Sequence, residues 1–167
     1  DNGSWYLHYR VTDNAGNEKT GYFGPYQIDK IAPSGQFVPP ESGWTNNNMT
    51  ITFTPTDDGG SGVLKWRYRA SSNNGTSYGE WSEYYGNTAG GINLAAQGIW
   101  QLQAEVIDNA GNVSVVYSGS YKIDKIPPSV TASINSKAWT NTDVNVELTY
   151  TDNGGSGLKD RQYFWEK

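Results

Sequence analysis

Apolar and polar positions alternate with a period of two over most of the chain. Met49, Ile51 and Phe53 alternate with Thr50, Thr52 and Thr54, and Trp100, Leu102, Ala104 and Val106 alternate with Gln101, Gln103 and Glu105. Successive side chains of a strand point to opposite faces, so this pattern predicts strands with one buried face. The same phase runs through Trp5, Leu7, Tyr9 and Val11, and through Val144, Val146 and Leu148. The Trp66/Tyr68 segment and Ile92-Asn93-Leu94 predict further strands. No helical period of useful length appears.

The pattern repeats. Residues 1–34 align with 96–129 at a constant offset of 95, with 18 identities in 34, and residues 35–72 align with 130–167 at the same offset, with 11 in 38. The turn Asp13-Asn14-Ala15-Gly16-Asn17 returns as Asp108-Asn109-Ala110-Gly111-Asn112. Trp44-Thr45-Asn46 returns as Trp139-Thr140-Asn141, and Gly59-Gly60-Ser61-Gly62 as Gly154-Gly155-Ser156-Gly157. The expected organisation is therefore the C-terminal part of one unit (1–31), a whole unit (32–126) and the N-terminal part of the next (127–167), which contributes its first three strands. Pro33 and Pro128 lie at the crossings, where a fixed φ stiffens the chain.

Some seven short strands per 95 residues, separated by turns and each with one apolar face, predict an all-β fold: tandem immunoglobulin-like β-sandwich repeats. An up-and-down barrel is the rival, but it does not account for proline-linked, end-to-end repetition. The residues Gly98, Trp100, Leu102, Ala104, Val106 and Asp108 to Asn112, followed by Tyr121, Ile123-Asp124-Lys125 and Pro127-Pro128, resemble the bacterial Ig-like repeats of large surface and secreted proteins. The resemblance implies a stalk, an adhesin repeat, or a spacer beside a catalytic domain, in an extracellular location.

Composition narrows the classes further. Aromatic residues make up 14% of the chain, with 7 Trp and 12 Tyr, which argues against disorder. The net charge of −5 comes with no Lys/Arg cluster, so a nucleic-acid partner is not expected. No apolar run approaches the length of a membrane span. Cysteine is absent, which fits an extracellular bacterial protein and a cytosolic one equally. An enzyme is not expected. His8 is the sole histidine, on the polar phase of a strand, and Asp57-Asp58 lies in a Gly-rich turn that recurs as Asp152-Asn153. The Gly-Gly-Ser-Gly run lacks the Lys-Ser/Thr of a phosphate loop.

Two constellations carry chemistry. Tracing a seven-stranded sandwich brings Asp29 of the crossing together with Asp57, Asp58 and Asp108 at one junction. Asp124 and Asp152 meet at the next, whose third contributor falls beyond Lys167. Converging carboxylates repel unless offset, and Ca²⁺ takes 6–8 oxygens from such groups. The alternative is a network of turn hydrogen bonds and salt bridges, with Lys30 and Lys125 neutralising the acids beside them. The second constellation is Tyr78, Trp81, Tyr84 and Tyr85, between Asn73 and Gly91, a platform for stacking on sugars or a protein partner. Its alternative is an edge strand covering one sheet. The expected function is thus a non-catalytic stalk or spacer whose partners are neighbouring repeats of the same chain or fibre. The competing reading is a module that binds a cell-surface glycan or protein beside a secreted enzyme.

Overall fold

A computed structural model describes residues 1–166, and no helix occurs among them. Twelve strands form: β1 (Gly3–Thr12), β2 (Glu18–Ile28), β3 (Ser34–Val38), β4 (Trp44–Thr45), β5 (Met49–Thr56), β6 (Val63–Ser71), β7 (Gly90–Leu94), β8 (Gly98–Asp108), β9 (Val113–Tyr117), β10 (Tyr121–Ile123), β11 (Ser129–Ile134) and β12 (Val146–Thr151).

Strands β3 to β10 build a two-layer sandwich. One sheet has the order β3-β5-β7, and the other runs β4-β10-β8-β6 with β9 also paired to β8. Pairings are antiparallel except β10 with β4, where Lys122 and Ile123 run parallel to Trp44 and Thr45. The alternation along β5 is realised as predicted: Ile51 and Phe53 are fully buried between exposed threonines. Across the gap they meet Trp66, Leu102, Ala104, Val106, Tyr121 and Ile123, with Phe37, Ile92 and Leu94 completing the core. Burying a large apolar side chain contributes about 1.5–3 kcal/mol, so this one cluster dominates the stability of the sandwich. Phe53 bridges the layers, with ring centroids 4.7 Å from Phe37 and 4.8 Å from Trp66.

The flanking sheets are different. β1 pairs with β2 through the Asp13–Asn17 turn, and β11 pairs with β12, but among the described residues no second sheet lies across either pair. The apolar phase read as core is consequently open there: Trp5 is 46% exposed, Leu7 60% and Val11 62%. Of the seven tryptophans, Trp66 alone is buried. The expected third strand of the last segment does not form among the described residues. Tyr163, Phe164 and Trp165 are irregular and exposed, and line a hollow together with Val146, Leu148 and Tyr150 of β12.

Candidate functional site

Between the β1–β2 sheet and the sandwich lies a cleft of about 500 Å³, lined by Ser4, Gln27, Asp29, Ser61 and Asn109 among others. Three loops build it: the crossing after β2, the Gly-rich loop between β5 and β6, and the turn between β8 and β9.

Asp29 links all three. Its Oδ1 accepts the amide of Ile31 at 3.0 Å, and its Oδ2 accepts the amide of Ser61, across the cleft, at 3.0 Å. The Ser61 hydroxyl and then the amides of Ile31 and Ser61 hold the carboxyl below its ordinary 3.8, against the opposing effect of burial. Its carbonyl accepts the side-chain amide of Asn112 at 3.1 Å. Asp57 shapes the Gly-rich loop from within, accepting the amides of Gly59 at 3.0 Å and Gly62 at 2.6 Å. Asp108 is fully buried and closes its turn by accepting the Asn112 amide and side chain, both at 2.8 Å.

These bonds recur at the offset of 95. Asp124 accepts Ile126 N at 3.0 Å and Ser156 N at 3.1 Å, and the Ser156 hydroxyl foremost holds its carboxyl low. Asp152 accepts Gly154 N at 3.1 Å and Gly157 N at 2.6 Å. Asp13 binds Asn17 as Asp108 binds Asn112. The crossing is therefore one local device written twice.

Carboxylate oxygens of Asp29, Asp57 and Asp108 lie within 4.8 Å of one another. Asp58 does not join them; it is exposed, while its neighbour Asp57 turns inward to cap the loop. The acids are offset by N–H groups rather than by lysines. Among the described residues the ion pairs are Arg10–Glu18 and Arg67–Glu105. Lys125 instead donates to Asn48 Oδ1 and the Ala95 carbonyl. As for a metal, Ca²⁺ binds oxygens at about 2.3–2.6 Å, so ligands on opposite sides of one ion lie at most about 5 Å apart. The trio satisfies that limit, and Asp29 Oδ2, Asp57 Oδ1 and both oxygens of Asp108 each accept a single N–H, which leaves them a second lone pair.

The aromatic constellation lies elsewhere, along the free edge of β6. Tyr85 exchanges backbone bonds with Trp66, at 2.7 and 3.2 Å, and stacks on its ring at 4.5 Å. Ser82 N donates to Tyr68 O at 2.7 Å. Tyr78, Trp81 and Tyr84 then fold over the outer face of β6. They interleave with Lys65, Arg67 and Arg69, which the sequence reading had not singled out. The Lys-x-Arg-x-Arg alternation on a strand was the available signal.

The arrangement is a non-disulfide β-sandwich of the immunoglobulin type, with polar loops at its crossings. Residues 33–125 match the bacterial Ig-like domain family, and the chain belongs to it. No curated protein matches the sequence. Domains of this family occur typically in surface or extracellular proteins and are generally non-catalytic.

Proposed function

We propose that the chain is a spacer segment of an extracellular stalk or fibre: tandem Ig-like units of about 95 residues with the boundaries 1–31, 32–126 and 127–167. One observation carries the reading. The crossing at Asp29, held to Ile31 and Ser61, is repeated bond for bond at Asp124, held to Ile126 and Ser156. A linker that only tethered two units would need no such duplicated docking. One that sets the angle between them would, and a fixed angle is what gives an array its length. Small-angle scattering of the chain and of an Asp29→Ala/Asp124→Ala variant tests it. A rigid, elongated wild type and a visibly more flexible variant are expected; a wild type as flexible as the variant would end the reading.

The second reading adds Ca²⁺ at the crossing and is favoured by the clustering of Asp29, Asp57 and Asp108. An ion there would bind one acid from each of the three loops and so lock the crossing further.

A further inference from the structure

The outer face of β6 and β8 carries a ladder of cations and rings. Lys65 Nζ lies 4.1 Å from the Tyr84 ring centre. The Arg67 guanidinium lies 4.7 Å from both Tyr84 and Trp81. That of Arg69 lies 4.6 Å from Trp81 and 5.2 Å from Tyr78. From the strand below, Glu105 accepts Arg67 Nε at 2.8 Å and the Tyr84 hydroxyl at 2.9 Å, and Gln103 accepts Arg69 Nε.

Core positions recur at the 95-residue offset only in part, since Trp66 corresponds to Arg161 and Phe37 to Ala132, but the hydrogen bonds of the crossing do recur there. The ladder does not: Lys65, Arg67 and Arg69 correspond to Asp160, Gln162 and Phe164, and Gln103 and Glu105 to His8 and Arg10. A chain of net charge −5 has placed two of its four arginines side by side on one face, outside the repeated pattern.

The geometry also says what is left to bind. The cations take the ring faces that lie against β6, which leaves only the outer faces for stacking on a neutral sugar. Each arginine spends its Nε on β8. Among the described residues the terminal nitrogens of neither meet a protein acceptor, and the Arg67 side chain keeps 27% of its surface exposed. Ring faces hold the two guanidiniums in place, so little freedom is lost when their N–H forks engage a planar anion. The amide of Gln101 and the hydroxyls of Tyr78, Tyr84 and Tyr117 lie alongside for neutral hydroxyl groups. Peptide addition at the β6 edge is blocked, because Gly79, Ser82 and Tyr85 already pair there.

We propose that this face binds a carboxylate-bearing polysaccharide, with Arg67 and Arg69 as the anion-recognising residues. This goes beyond the spacer reading, and either stands without the other. The probes are immobilised polygalacturonate, dextran, dextran sulfate and poly-glutamate, with the 167-residue chain at low ionic strength. Binding to polygalacturonate that weakens with added salt, and none to dextran, is expected. Arg67→Gln/Arg69→Gln is expected to weaken binding at least tenfold. Arg69→Lys, which keeps the charge and the ring contact but loses the fork, is expected to weaken it measurably, with melting curves confirming that each variant is folded. No binding of polygalacturonate by the wild type would overturn the proposal, and that result does not depend on any variant folding. So would equal or tighter binding of poly-glutamate or dextran sulfate, or undiminished binding by the folded Arg69→Lys protein.

Discussion

The carboxylate of Asp29 occupies the space that a Cβ on Gly59 would need, and Asp124 does the same at Gly154. The obstruction is steric and specific to the crossing. Gly59→Ala should therefore push Asp29 off the Ser61 amide and destabilise the chain by about 1–3 kcal/mol, the usual cost of overfilling a packed site. Gly91→Ala is the control, because its Cβ meets the Thr50 methyl at 3.5 Å, an ordinary contact. Chemical denaturation of both variants checks this. Equal stability of the two would show that the close approach is not a constraint.

Acid should loosen both crossings. Asp29 and Asp124 are held below 3.8, foremost by the hydroxyls of Ser61 and Ser156 and then by backbone amides. A depressed native pKa means that the unfolded state takes up protons first as pH falls. The contribution is thus complete above 3.8 and is lost as pH drops through the lower native values. The amide shifts of Ser61 and Ser156 should titrate with midpoints below 3.8. A midpoint at or above that value would contradict the hydrogen bonding described.

Base acts at the other end of the scale, through Tyr121. This side chain is fully buried, and its hydroxyl donates to the Pro39 carbonyl at 2.7 Å. Burial pushes its pKa up from 10.0 to about 12. Here the native state holds its proton longer than the unfolded chain. The stability is present below pH 10 and declines as pH rises from 10 towards 12. Tyr121→Phe leaves the Pro39 carbonyl without its donor and should cost about 1–3 kcal/mol at neutral pH. It should also flatten the alkaline decline in denaturation curves, although Tyr68, Tyr78 and Tyr84, also raised by burial, leave part of it in place.

The sandwich was legible because alternation and burial are the same fact wherever two sheets face each other: Ile51, Phe53, Leu102, Ala104 and Val106 are all fully buried. The same alternation misled at Trp5, Leu7 and Val11, because a sequence period gives the face and not whether anything covers it. The distinction between Asp57 and Asp58 was written in the repeat, which keeps the first as Asp152 and replaces the second by Asn153. Neighbouring acids in a Gly-rich loop have no period to sort them, and the capping of Gly59 and Gly62 does so in space. The cation ladder was hidden for another reason. Lys65, Arg67 and Arg69 look like any solvated strand face until a segment more than ten residues downstream folds back over them.

Calcium makes the sharpest separation between the two accounts of the crossing. If the amides alone offset Asp29, Asp57 and Asp108, then millimolar calcium and chelator leave the melting temperature unchanged. If an ion adds to them, binding to the native state alone stabilises it by about 2.7 kcal/mol at a hundredfold excess over Kd. The melting temperature should then rise with calcium and fall with EDTA. Asp108→Asn keeps one side-chain oxygen for the Asn112 amide, loses the acceptor of the Asn112 side chain and removes a charge from the trio. It should abolish the calcium response and lower the metal-free stability by about 1–3 kcal/mol, the usual cost of one lost buried bond. A shift that survives in Asp108→Asn would place the ion elsewhere, and the absence of any shift in the unsubstituted chain would leave the crossing to its hydrogen bonds.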